Sequence, residues 1–193
     1  MTFPRELTPA EQATVNNFAA TRMDFKQVFL LTPFVIETTQ PSHAPHARPA
    51  QAALEPFSYF GWACGDRTLQ EYPNSVEQVI DLLRRQTGVQ YETAEPDAPD
   101  AKFMLWGEKR HVSHISVRLT YSELLRRRKA AFADLVVNLH QYEKLGIGNP
   151  FWSSAIGYGF GVIAHPPRWF NGGDFGHYIA SLRRKPLPSP FTT

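Results

Sequence analysis

The hydrophobic pattern of residues 86–145 predicts three short strands followed by one long amphipathic helix. Residues 89–93, 102–106 and 112–119 are rich in β-branched and aromatic side chains, and glycine and polar residues separate these three runs. In the third run, apolar side chains alternate with His114, Ser116 and Arg118. This alternation predicts one buried and one solvated face.

Three capping boxes mark where helices begin. Thr8-Pro9-Ala10-Glu11 predicts a helix that continues to about Pro33, and Ser75-x-x-Gln78 predicts a second helix that ends near Gly88. Thr120-x-x-Glu123 begins the long helix, which we expect to end at Gly146. Residues 151–164 interleave aromatic residues with glycines and follow an Asn-Pro pair, so we expect another helix there.

These elements predict an α+β fold that is mostly helical, with one small three-stranded antiparallel sheet packed on a long amphipathic helix. We assign residues 1–85 to an N-terminal helical region, with a Pro/Ala-rich surface loop at residues 40–56. Residues 86–193 then hold the sheet and the C-terminal helices. We expect the two regions to form one compact unit.

Composition and charge narrow the class of partner. The formal net charge of +2 gives no overall field to attract nucleic acid or an anionic membrane, and no apolar run is long enough to span a bilayer. Cys64 is the only cysteine, so no intrachain disulfide can form. Together with an N-terminus that does not resemble a signal peptide, this predicts a cytoplasmic protein.

Catalytic motifs with a recognisable spacing are not found in the sequence. Cys64 has no neighbouring histidine that would activate it, so we interpret it as a buried, inert thiol. The glycine-rich segment 169–178 is a better candidate, because Asp174 and His177 lie among aromatic residues in a loop. The alternative interpretation makes Asp174 a helix N-cap and places His177 in the first helical turn.

The sequence resembles the small partner subunit of the methanobactin maturation complex. The resemblance lies in residues 18–25 (FAATRMDF), residues 61–73 (GWACGDRTLQEYP) and the three-strand block behind them. It implies a subunit that pairs with an iron-containing TIM-barrel enzyme and carries no cofactor itself. The pair converts cysteines of a precursor peptide into oxazolone and thioamide groups, and the small subunit helps to bind the leader peptide by β-strand addition.

Short, exposed strand edges agree with such a binding role. We therefore predict a non-catalytic, heterodimeric subunit that binds a cysteine-containing precursor peptide and neither nucleic acid nor membrane. The residues predicted to contact the peptide, on the third strand, are His111, Ser113, His114, Ser116 and Arg118. The predicted anchors of the partner interface are Trp152, Tyr158, Trp169 and Phe170. Two further residues, Asp174 and His177, are expected to contribute to the partner's active site.

Two alternatives from other classes remain open. Short strands beside the basic run Arg126 to Lys129 are also found in winged-helix domains that bind nucleic acid. The other alternative is a small metal-dependent enzyme that uses His165, Asp174 and His177 as ligands.

Overall fold

The computed structural model describes residues 5–16, 28–31, 58–66, 68–96, 98–119, 152–156, 161–167 and 169–186. Eight strands lie in these residues: β1 (Arg5–Glu6), β2 (Phe29–Leu30), β3 (Tyr91–Ala94), β4 (Ala101–Glu108), β5 (His111–Arg118), β6 (Trp152–Ile156), β7 (Gly161–His165) and β8 (His177–Arg184). The helices described beside them are α1 (Pro9–Asn16), α2 (Tyr59–Cys64) and α3 (Val76–Thr87). All eight strands join one antiparallel sheet in the order β1-β2-β7-β6-β5-β4-β8-β3.

The expectation of a mostly helical fold around a three-stranded sheet is therefore wrong. Six strands have four to eight residues, whereas the longest described helix has 12. The helix predicted over residues 151–164 is replaced by β6 and β7. Both strands are almost entirely buried, so they lack the alternation that identifies a half-exposed strand. A continuous apolar run of this kind does not separate strand from helix by periodicity.

Several local predictions are confirmed, but the predicted end of the first helix near Pro33 is wrong, because Phe29–Leu30 form strand β2. The three predicted strands exist as β3, β4 and β5, and the capping box of α1 is closed by Thr8 N–H donating to Glu11 Oε2 at 2.8 Å. Ser75 caps α3 by accepting from the backbone N–H of Gln78 at 3.3 Å. Gly88 ends this helix with φ of 71°. The long helix predicted from Thr120 lies outside the described residues.

The three predicted strands are not consecutive in the sheet: β4 and β5 are paired, but β8 lies between β3 and β4. Leu182 of β8 is aligned with Thr93 on one side and with Phe103 on the other.

The alternative interpretation of the glycine-rich loop, with Asp174 as a helix N-cap, is wrong, because His177 begins a strand and not a helix. Residues 40–56 and the segment from Arg126 to Lys129 lie outside the described residues.

Both faces of the sheet are buried. One face packs against α2 and α3, with Phe103 and Leu105 of β4 among its core residues. The alternate residues of the same strand, Met104 and Trp106, belong to a second core on the opposite face. Strands from both predicted regions, 1–85 and 86–193, share this sheet. None of the helices that the structure describes has the length and hydropathy needed to cross a bilayer.

Candidate functional site

The five residues predicted to contact a peptide lie on β5, which is an interior strand. Strand β4 pairs with it along one side, and β6 pairs with its last two residues on the other. Near its start, the N–H of Val112 donates to the carbonyl of Asn74 at 2.8 Å. The free edge that we expected along this strand is therefore wrong, and the role of these residues in peptide binding stays a prediction without that support.

The expected solvated face of β5 is also corrected. His114 and Ser116 are fully buried, Ser113 and Arg118 are partly buried, and His111 is exposed at the end of the strand. The alternating pattern correctly predicted which residues share each face of β5. It did not reveal that the polar face is also covered, by a second core.

The aromatic residues expected at a partner interface lie inside the molecule. Trp152, Trp169 and Phe170 are all at most 5% exposed and belong to the second core. Tyr158 lies outside the described residues. Trp152, Trp169 and Phe170 therefore fill the core of this chain, and their role as anchors of a partner interface stays a prediction without support from exposure.

The three residues of the metal-dependent alternative are not brought together. His165 is fully buried at the end of β7, whereas Asp174 and His177 are exposed. Within the described parts of the chain, no group of three or more His, Cys, Asp or Glu side chains is arranged to hold a metal ion. Cys64, the last residue of α2, is buried in the core.

A line of buried hydrogen bonds crosses the second face of the sheet from β4 to β7. The indole Nε1–H of Trp106 donates to Ser116 Oγ at 2.9 Å, and Ser116 Oγ lies 2.7 Å from Ser154 Oγ. Ser154 Oγ is 2.8 Å from His165 Nε2, and His165 Nδ1 is 2.8 Å from the carbonyl oxygen of Pro166. Each of the four strands contributes one side chain to this line.

The direction of every hydrogen bond in the line follows from its His165 end. A carbonyl oxygen only accepts, so His165 Nδ1 carries a proton and donates to Pro166. Burial lowers the pKa of His165 to about 4, although the bond to the Pro166 carbonyl raises it, so the ring is neutral at neutral pH and Nε2 accepts from the Ser154 hydroxyl. Ser154 Oγ then accepts from the Ser116 hydroxyl, and Ser116 Oγ accepts from the Trp106 indole.

Ser154 and His165 have the geometry of a nucleophile beside a general base, with the base oriented by a third group. Both side chains are fully buried, and the ring of Phe170 lies 4.6 Å from that of His165 between centroids. A substrate cannot reach Ser154 Oγ in this arrangement, and an imidazole with so low a pKa is a weak base at neutral pH. The role that this line of hydrogen bonds supports is structural: it gives buried polar side chains their hydrogen-bond partners within the core.

His114 is the second buried histidine on this face, and neither of its ring nitrogens has a hydrogen-bond partner within the described part of the chain. Three aromatic rings surround it: Phe175 stacks on it at 3.9 Å, and Tyr59 and Phe170 approach edge-on at 4.9 and 5.2 Å between centroids. Burial, followed by the proximity of His165, lowers the pKa of His114 well below its usual value. At neutral pH this imidazole is uncharged.

Close backbone packing fixes the ring of Phe175 over His114. The carbonyl of Phe175 accepts from Ser113 Oγ at 2.8 Å, and Gly176 follows with φ of 81°. A Cβ at Gly176 would overlap the backbone of Gly107, at the irregularity in the pairing of β4. The glycine-rich loop singled out from the sequence therefore covers the buried histidines with its aromatic rings. Asp174 and His177 are exposed, and their contribution to a partner's active site stays a prediction.

The outermost strand, β3, offers a different kind of site. Among the described strands it pairs with β8 alone. Lys185 N–H donates to the Gln90 carbonyl at 2.9 Å, one residue before the β3–β8 ladder begins. Because hydrogen-bonded pairs alternate along an antiparallel ladder, Glu92 and Ala94 direct their backbone groups toward β8. The N–H and C=O groups of Tyr91 and Thr93 consequently point away from the sheet.

Sequence reasoning missed both Ser154 and the edge at β3. The adjacent pair Ser153-Ser154 inside an apolar run was the available signal, because each hydroxyl needs a buried partner. Ser153 Oγ accepts from the indole of Trp62 at 2.9 Å on the opposite face. The outward groups of Tyr91 and Thr93 depend on the position of β8, which the sequence pattern does not give.

Comparison with known proteins found no family model, no curated protein and no solved structure that matches this chain.

Proposed function

We propose that this chain is a binding subunit that takes an extended segment of a partner protein or peptide as an added strand beside β3. The observation that carries the proposal is the outward direction of the Tyr91 and Thr93 backbone groups on the outermost strand. Unpaired N–H and C=O groups on a strand edge are a template for another strand. Such binding draws its affinity from main-chain hydrogen bonds.

The sequence of β3 favours an open edge. Natural edge strands are commonly protected by proline, lysine or a bulge, and Tyr91–Ala94 contains none of these. Strand β1, outermost on the other side of the described sheet, has two described residues. Strand β3 is therefore the better template.

A narrower version of the proposal comes from the resemblance alone. In it, the added segment is the leader of a cysteine-containing precursor peptide, and the partner is an iron-containing TIM-barrel enzyme of the methanobactin type in the cytoplasm. The comparisons give this version no support. Its test is whether an iron protein encoded beside this chain co-purifies with it in a defined ratio.

The broader proposal is tested with a display library of random peptides selected for binding to the full chain. Peptides that add to β3 should lose binding to Thr93→Pro, because proline removes the outward N–H while the inward ladder to β8 stays intact. Thr93→Val is the matched control, since it keeps the N–H and a β-branched side chain. It should bind the same peptides with nearly unchanged affinity.

Circular dichroism must show that the proline variant keeps its sheet and its thermal transition. The proposal fails if the folded Thr93→Pro protein binds the selected peptides as tightly as the unmodified chain. It also fails if selection yields no peptide whose binding depends on Thr93.

A further inference from the structure

Among the residues of β3, Glu92 would lie closest to a side chain of the added strand. On the outer edge, Tyr91 and Thr93 would exchange hydrogen bonds with an antiparallel neighbour, so Glu92 would occupy the non-hydrogen-bonded pair between them. In such pairs the Cα atoms approach to about 4.5 Å, compared with about 5.5 Å in hydrogen-bonded pairs. The side chain opposite Glu92 is therefore the one most strongly selected.

The charges around Glu92 are unevenly matched. Its Oε1 accepts from Arg183 Nε on β8 at 2.9 Å, and the same guanidinium lies 3.7 Å from a carboxylate oxygen of Asp100. Two carboxylates thus share one guanidinium. The next cation along β8, Arg184, is aligned with Tyr91, so its side chain leaves the sheet on the face opposite to Glu92. Lys185, just beyond β8, is exposed and aligned with Gln90, two residues from Glu92. Within the described residues, Glu92 Oε2 has no hydrogen-bond partner.

We infer that the strand added at β3 carries a lysine or arginine opposite Glu92. This inference rests on the proposed strand addition and names the chemistry of the segment that it takes. A cation at this position would contact the second carboxylate oxygen of Glu92 and complete a row of alternating charge with Arg183 and Asp100. An acidic residue there would place three carboxylates around one guanidinium, and cross-strand pairs of like charge are unfavourable.

The expected preference is modest because Glu92 is partly exposed, with 32% of its side chain accessible. A favourable cross-strand ion pair of this kind changes affinity by up to about fivefold, and salt weakens it. A preference of this size is enough to enrich one charge in a selected population of peptides. Most of the affinity would still come from the backbone hydrogen bonds.

The test repeats the display selection on three forms of the full chain. Among peptides whose binding depends on the Thr93 N–H, we expect lysine or arginine to be enriched at one position when the chain is unmodified. Glu92→Lys should reverse that enrichment toward aspartate or glutamate at the same position. Glu92→Gln, which keeps the size of the side chain, should remove the preference without preventing binding.

The outcomes separate this inference from the proposed function. Peptides that depend on Thr93 but show no charge preference, or one that Glu92→Lys leaves unchanged, would overturn the inference while strand addition stands. Selected peptides that are all indifferent to Thr93→Pro would overturn both. Dimers of the chain that form at working concentration and disappear in Thr93→Pro would also overturn the inference, because the edge would then bind a second copy.

Discussion

His114 and His165 are both buried and neutral, but they differ in how their ring nitrogens are satisfied. His165 donates to the Pro166 carbonyl and accepts from Ser154, whereas His114 has aromatic rings around it and no hydrogen-bond partner among the described residues. A buried polar atom without a partner carries a desolvation cost that an apolar atom of the same shape does not. Substitution should therefore affect the two positions in opposite ways.

We expect His165→Phe to lower the free energy of unfolding by roughly 1–3 kcal/mol, because it leaves the Ser154 hydroxyl without an acceptor. His114→Phe should change it by less than about 1 kcal/mol or increase it, since phenylalanine keeps the stack on Phe175 and removes two unsatisfied nitrogens. Urea unfolding of both variants measures the difference. Equal destabilisation by the two substitutions would contradict these hydrogen-bond assignments.

The low pKa of His165 predicts a loss of stability in acid. An unfolded histidine takes up a proton near pH 6.5, while folded His165 does so only near pH 4, so the unfolded chain binds more protons between these values. Stability should therefore fall as pH falls through this window, by roughly tenfold in the folding equilibrium constant per pH unit for this residue.

His165→Gln tests this contribution, because glutamine does not titrate and the other titratable residues are kept. Burial, the larger cause, still lowers the pKa of His114 in the variant. We expect the stability of the unmodified chain relative to His165→Gln to decrease from pH 6.5 to pH 4 in urea unfolding experiments. A constant difference across that range would mean that His165 is protonated in the folded state.

At the scale of the elements, the junction of β4 with the loop before β8 depends on glycine. An alanine at Gly176 would adopt a left-handed backbone and place its Cβ against the backbone of Gly107. Gly88, the cap of α3, has a similar φ of 71° but no atom within 4 Å of the added Cβ. Comparing the stability of alanine variants at the two positions therefore separates the cost of backbone strain from the cost of steric overlap.

Gly88→Ala should cost roughly 1–2 kcal/mol of stability, the ordinary cost of a left-handed conformation. Gly176→Ala should cost roughly 1–3 kcal/mol more, because backbone atoms cannot move aside easily. Thermal unfolding of the two variants under identical conditions tests this order. If Gly176→Ala is as stable as Gly88→Ala, Gly176 does not pack against Gly107, and Phe175 and its loop do not lie over His114.

The sequence predicted those elements whose signals are local. Ser75, Gly88 and the Thr8–Glu11 pair act within one helical turn, so their patterns identified where α1 begins and where α3 begins and ends. Strands β6 and β7 were mistaken for a helix because both of their faces are buried, which removes the period of two. The buried line through Ser154 was missed for the same reason.

At the scale of the whole molecule, the position of β8 determines which of the described strands is outermost. The strand comes from the C-terminal part of the described chain and separates β3 from β4, so the block that looks like a three-stranded sheet in the sequence is divided in space. Pairing between strands distant in sequence leaves no periodic signal in either one. The sequence led us to predict strand addition along β5, which is an interior strand, whereas the strand that we propose as the template is β3.

Amide hydrogen exchange along β3, followed by NMR on the free chain at two concentrations, tests the central claim most directly. The account predicts fast exchange at Tyr91 and Thr93, whose N–H groups point outward, and slow exchange at Glu92 and Ala94, which are paired with β8. A selected peptide should then slow exchange at Tyr91 and Thr93. Protection of these two amides to the level of Glu92 and Ala94 in the free monomer would contradict the open edge.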